Sequence, residues 1–157
     1  MEPLTPDDVQ AVLAPLGIAL RFFTASTATS QMAADNIGCA LGQIVKSLCF
    51  IAGEAPVLVL ASGDTRVDDK KLAALLGVSR RQVRTATPAE CVTIFGYEPG
   101  GVPPIAHRTQ VPVYLEAKLE RFDTLYAAGG AHNAIFPISL PQLRELTRAT
   151  VADLAKT

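Results

Sequence analysis

The chain is expected to fold as an α+β protein, with a mixed, curved, barrel-like β-sheet surrounded by short helices. Two observations carry that expectation. Adjacent apolar runs at Ile44 to Ala52 and Pro56 to Ala61 read as a hairpin across Gly53-Glu54-Ala55. Short helical stretches, each with its own start and stop residues, are interspersed among the strands.

Each element has a local cause. Thr5-Pro6-Asp7-Asp8 is a helix start: a threonine cap, proline at the first position and acid in the first turn. Val9, Val12, Leu13 and Leu16 follow at helical spacing, and Gly17 stops the helix. Ile18 to Thr24 reads as a strand. Thr29 or Ser30 caps a short helix that Gly38 ends. After the hairpin, Ser62-Gly63-Asp64 breaks the chain. Asp68 or Asp69 then caps a helix through Leu72, Leu75 and Leu76, with Gly77 after it. Thr87-Pro88-Ala89-Glu90 is a capping box that opens a short helix ending near Gly96. Val111 to Leu115 reads as a strand, placed at a sheet edge because of Pro112. Thr124 to Ala128 and Ala134 to Ile138 are two more strands around the turn Gly129-Gly130-Ala131-His132-Asn133. Ser139 starts a last helix through Leu143 and Leu146.

A length of 157 residues favours one domain, residues 1–157. A chain of that size buries roughly 70% of its unfolded surface and needs no staples. With 49% hydrophobic and 18% charged residues it is not a disordered segment. No apolar run is long enough to span a bilayer, so no membrane partner is expected. The N-terminus is acidic and lacks an apolar stretch, which does not fit a secretory signal; the expected location is the cytoplasm. A net charge of −1 argues against a protein that coats nucleic acid, DNA included, and any RNA contact should be local. The basic cluster Lys70, Lys71, Arg80, Arg81 and Arg84 is either a solvated surface or a patch for tRNA phosphates. Cys39, Cys49 and Cys91 are scattered and odd in number, which speaks against a disulfide framework or a zinc site. Cys49 is most simply a small core residue.

Two segments carry chemistry. Gln43-Ile44-Val45-Lys46-Ser47-Leu48 puts a lysine inside an apolar strand. Alternation places Lys46 on one face with Ile44, Leu48 and Phe50, and Ser47 on the other with Val45 and Cys49. The plainer reading of Lys46 is an edge-strand lysine that blocks aggregation. The functional one is a cation at a pocket rim. Gly100-Gly101-Val102-Pro103-Pro104 is either an ordinary tight turn or a stiff loop that aims backbone amides at a developing oxyanion, with Val102 and Gly101 as donors. His132 either contacts a substrate amino group or sits exposed in its turn, and His107 reads as a surface histidine. Ser47 has no base partner in the sequence. Cys91 with His107 or His132 is arithmetically possible as a nucleophile and base. No metal is expected, since there are two histidines and no ligand pair at short spacing, and no cofactor fingerprint appears.

The order of these segments resembles the YbaK/prolyl-tRNA editing-domain family over about residues 25 to 153. It runs from Thr27, Thr29, Ala33 and Ala34 through the lysine strand, Val57 to Leu60, Asp68-Asp69-Lys70-Lys71-Leu72, the Thr87 helix and Gly96-Tyr97 to Gly100 to Pro104 and Ala128-Gly129-Gly130. The resemblance implies a freestanding trans-editing deacylase. It would cleave a small amino acid such as Ala, Cys or Ser from tRNA, with proline tRNA as carrier, by water attack assisted by the terminal ribose hydroxyl. The family's functional lysine falls on Lys46, which would anchor the terminal adenosine. Gly100, Gly101 and Val102, with Pro103 and Pro104, would position and polarise the ester carbonyl. Ser47, Gly129, Gly130 and His132 would bind substrate. Implied partners are the tRNA acceptor end and a prolyl-tRNA synthetase. Ile105-Ala106-His107 departs from the aromatic or glycine that many relatives carry. Two alternatives remain at this point: a non-catalytic binding module for aminoacylated ends or a synthetase, and a Cys/His hydrolase built on Cys91.

Overall fold

Strand β2, Ile44–Ala52, organises the molecule, which is described by a computed structural model covering residues 1–157. Its long apolar run pairs antiparallel with β3, Ala55–Ser62, from Val45↔Ser62 to Ala52↔Ala55. The expected hairpin is therefore present over the expected residues. The complete sheet is mixed and eight-stranded. Its order is β1 (Arg21–Phe22), β7 (Ala134–Ser139), β6 (Thr124–Ala128), β2, β3, β5 (Val113–Glu116) and β8 (Thr150–Ala152), with β4 (Val83–Thr85) pairing off the path onto β2.

The helices form where their caps say they should. They are α1 (Pro6–Leu13), α2 (Ser30–Ile37), α3 (Asp69–Leu76), α4 (Pro88–Glu90) and α5 (Leu140–Thr147). The side chains of Thr29, Asp68, Thr87 and Ser139 each accept a first-turn backbone N–H, satisfying groups the helix leaves without partners. α4 runs on into a π-helical turn, Cys91–Phe95, in which the Gly96 N–H donates to the Cys91 carbonyl at 2.8 Å.

Both faces of β2 are covered, following its alternation. Val45, Cys49 and Ile51 join the main core with Leu13, Leu58, Leu60, Phe95, Tyr97, Leu125, Phe136 and Leu143. Phe50 and Ala52 pack on the other face with Leu72 of α3, Val83 and Leu154. Ile44 meets Ala33 and Ala34 of α2 and Ile135.

Two strand expectations need correction. Ile18 to Thr24 is not one strand, because only Arg21 and Phe22 pair with β7. The Gln10 side chain takes the Ile18 carbonyl and the Leu20 N–H, both at 2.9 Å, so the preceding backbone is satisfied without a strand partner. Nor is β5 an edge strand. It lies parallel between β3 and β8, and Pro112 sits one residue ahead of it, where its carbonyl accepts the Leu58 N–H at 3.0 Å.

Lys46 is likewise not on an outer edge, yet its strand is open there. On the side away from β3, β2 pairs in parallel with β6 only at Ile44 and Val45, and with β4 only from Phe50 onward. Lys46, Ser47, Leu48 and Cys49 fall between these pairings, and since the Cys49 carbonyl accepts the Ala86 N–H at 2.9 Å, the open stretch is Lys46 to Leu48. No helix is long and apolar enough to cross a membrane.

Candidate active site

The gap in β2 opens into a cavity of about 250 Å³. Lys46, Ser47 and Leu48 form its floor with Ile44 and Val45. Residues 27 to 30 and Ala33 close it from the start of α2, Tyr126 to Ala128 and Ile135 from β6 and β7, and Gly100 and Val102 from the glycine-proline loop. The lysine and the loop, 54 positions apart in the chain, thus face the same space.

Lys46 is half-buried, and its Nζ donates to the Thr65 carbonyl. Burial lowers its pKa, the Asp64 carboxylate opposes that shift, and Arg66 adds to it. Asp64 is in turn held by Arg121 at 2.8 Å and by the Thr65 hydroxyl at 3.1 Å, which keeps its pKa below the usual carboxylate value. The lysine is therefore fixed at its outer end by β3's following turn. Ser47 presents a buried hydroxyl with no hydrogen-bond partner. A buried donor without a partner costs about 1–3 kcal/mol, so this hydroxyl is an unspent hydrogen-bonding group in a residue of the cavity lining.

The loop divides its amides. Gly101 donates to the Glu98 carbonyl at 3.1 Å, and its own carbonyl accepts from Gly130 at 3.0 Å. The amides of Gly100 and Val102 make no hydrogen bond within the protein, and both residues line the cavity. Of the two amides expected as donors, that of Gly101 is taken by Glu98 and Gly101 is absent from the cavity lining, whereas that of Val102 is free, and the Gly100 amide is a second free one there. Gly100 has φ +89°, and a Cβ there would come within 3.1 Å of the Ala28 Cβ, so the close approach of the loop to the segment ahead of α2 depends on glycine.

The second glycine turn supports this loop and does not line the cavity. Gly129 donates to Ala134 at 2.8 Å, and Gly130 ties the turn to Gly101. The His132 carbonyl accepts both the Thr27 N–H and, at 2.9 Å, the Thr27 hydroxyl, which fixes the cavity wall; the imidazole itself is exposed without a hydrogen bond. Pro103 and Pro104 do not line this cavity, and Pro104 lines a separate groove with Val12, His107 and Arg148. His107 is not a surface histidine. Its ring packs edge-on against Phe95 with centroids 5.9 Å apart, and its Nε2 lies 2.7 Å from the Pro103 carbonyl.

The Cys/His arrangement is not built. Cys91 is buried in the main core with Cys49 and lines no part of the cavity. The basic cluster is partly neutralised: Lys71 bonds Asp153 and the Ala155 carbonyl, and Arg84 grips Glu90 with two bonds of 2.6 and 2.9 Å. Residues that the sequence reading left without a role at the site include Tyr126, Ile44, Leu48 and Ile135. Tyr126 reaches the cavity because it pairs with Ile44 across parallel strands, a partnership with no local signal.

The cavity lining contains hydroxyls, one lysine and free amides, but no His, Cys, Asp or Glu. Such a site can hold an anion or ester and polarise a carbonyl. It offers no side-chain carboxylate or imidazole as a general base.

Residues 24–146 match the model of the aminoacyl-tRNA editing domain. YwhH of Bacillus subtilis, which has no assigned function, is 35% identical over 130 residues, 82% of this chain and 81% of its own length. EbsC of Enterococcus faecalis, described as a proposed Cys-tRNA(Pro)/Cys-tRNA(Cys) deacylase, is 24% identical over 127 residues, 80% of this chain and 76% of its own. A crystal structure described as that of a proposed trans-editing enzyme for prolyl tRNA synthetase superposes with a TM-score of 0.89 at 38% identity, covering 97% of both chains.

Proposed function

This chain belongs to the aminoacyl-tRNA editing-domain family, and from that premise we propose that residues 1–157 act as one trans-editing domain that hydrolyses the ester of misacylated tRNA. The substrate is a small amino acid such as Ala, Cys or Ser carried on proline tRNA. The partners are the acceptor end and, through it, a prolyl-tRNA synthetase; the location is the cytoplasm.

The observation that carries this reading is the cavity shared by Lys46, Ser47, Gly100 and Val102, with the last two amides free, in a lining without any carboxylate or imidazole. The ammonium of Lys46 holds the phosphate or ribose of the terminal adenosine. The two free amides receive the carbonyl oxygen as it becomes an oxyanion, each donor being worth about 3 kcal/mol in such a role. Ser47 orients the bound aminoacyl ester. Water attacks the carbonyl carbon, the bond from that carbon to the ribose oxygen breaks, and the ribose oxygen recovers a proton as the amino acid leaves. With no carboxylate or imidazole in the lining, the neighbouring ribose hydroxyl assists the water. A volume near 250 Å³ is below the roughly 300–1,000 Å³ of sites for drug-sized ligands, which suits a small aminoacyl group. A synthetase pocket made for proline discriminates poorly against smaller residues, since a methylene is worth about 1–3 kcal/mol, and a second site must remove the errors.

The test is deacylation of proline tRNAs charged with Ala, Cys, Ser or Pro by wild type and Lys46→Ala. Loss of one misacylated species with proline spared, and a variant without activity, supports the reading. Survival of every ester would instead indicate a binding module.

A further inference from the structure

We propose that His107 is a positioning residue for the glycine-proline loop, acting through its hydrogen bond to the Pro103 carbonyl; this rests on the deacylase reading of the cavity. The loop has a weakness that this bond addresses. Residues 102 to 107 make no backbone–backbone hydrogen bond, the ladder resuming only where Arg108 donates to Phe95 at 2.9 Å and Thr109 to Ile94 at 3.1 Å. Pro103 and Pro104 have no N–H to give. Yet the stretch begins with Val102, which lines the cavity and whose amide is free, and such a donor must hold its place to within about 0.5 Å to serve a developing oxyanion.

Two side chains hold the segment. The Tyr97 hydroxyl donates to the Ala106 carbonyl at 2.6 Å. Ala106 itself is left-handed, with φ +64°, and the chain reversal there brings His107 back over the residue four positions earlier. A carbonyl only accepts, so the imidazole carries its proton on Nε2 and donates it to Pro103. The edge-on contact with Phe95, at 89°, sets the ring's plane. Burial lowers the His107 pKa and so favours the neutral ring. His107 is absent from the cavity lining, so it touches Pro103 and not the substrate.

The experiment compares wild type with His107→Phe, which keeps a ring against Phe95 but removes the donor, and His107→Gln, whose amide nitrogen takes the place of Nε2. Steady-state deacylation, amide NMR shifts of Gly100 and Val102, and thermal midpoints are measured together. The expected result is a kcat roughly 10–100-fold lower in His107→Phe with KM within about twofold, moved amide shifts, and recovery of both in His107→Gln. Unmoved amide shifts and a wild-type kcat in His107→Phe would overturn the proposal. So would a Gln variant as impaired as the Phe variant with both midpoints lowered, since that marks a packing role. Moved shifts that Gln restores, in a protein that spares every ester, would leave the positioning role standing and remove the deacylase reading.

Discussion

Replacing Gly101 by alanine tests how the two glycine loops are joined. A Cβ at this position would lie 3.0 Å from the Ala131 Cα and 3.1 Å from its C and N atoms. All three are backbone, so no side chain can rotate away. Gly101 is not among the left-handed glycines, so the alanine backbone itself is unstrained and the whole effect comes from the clash. Forcing the loops apart costs about 1–3 kcal/mol as overpacking. Weakening the Gly130 to Gly101 hydrogen bond adds about 1 kcal/mol. The stiffer unfolded chain returns about 0.4–1 kcal/mol. The net loss is near 2 kcal/mol, a fall of about 4–8 °C in Tm for a chain of this size. Because the same shift moves Gly100 and Val102, deacylation should fall with it, by 10-fold or more. Gly77→Ala is the control. It strains a left-handed residue, φ +71°, with nothing within 4 Å, and should lose about 1–2 kcal/mol without loss of kcat. Calorimetry and steady-state deacylation read both. A Gly101→Ala protein that melts at or above wild type and turns over normally would refute the reasoning.

Three further outcomes are expected. Ser47→Ala removes a buried hydroxyl that has no partner, so urea unfolding should show stability unchanged or raised by up to about 1 kcal/mol, while kcat/KM falls about 5–10-fold as the substrate loses a bond. Arg148→Gly relieves a left-handed residue, φ +52°, that follows α5, and should stabilise the protein by about 1 kcal/mol in the same assay. The Arg84 guanidinium and the Thr87 N–H hold the Glu90 carboxyl down to about 2 from its ordinary 4.5, so its contribution is present above about 4.5 and is lost as pH falls through about 2. Denaturant midpoints of Glu90→Gln measured across that window should fall less steeply with acid than those of wild type.

Much of the fold was legible because its causes are local. A cap side chain and the amides it serves lie within three residues, so the helix starts at Thr29, Asp68, Thr87 and Ser139 could each be read to within one residue, the structure choosing Thr29 over Ser30 and Asp68 over Asp69. The β2–β3 hairpin is closed by its own short turn, and the alternation of β2 put Val45 and Cys49 together in the main core and Phe50 on the opposite face. Strands held by distant partners were harder. β8 is three residues long and exists as a strand because β5 lies beside it, and β4 because the far end of β2 does. Neither carries a periodicity long enough to read.

The sequence by itself determined the capped helices, the central hairpin, the presence of a lysine in an apolar strand and of a rigid glycine-proline loop, and the family those segments resemble. Only the tertiary structure decided what each group does with its bonds. It opened β2 at Lys46 to Leu48 by ending one parallel pairing and starting another antiparallel one. It gave the Gly101 amide to Glu98 while leaving those of Gly100 and Val102 free, joined Thr27 to His132 across 105 positions, and turned His107 inward onto Pro103. The physical reason is one of range. Caps, turns and alternation act over a few residues along the chain, whereas the partner of a given donor is whatever folding brings within about 3 Å of it.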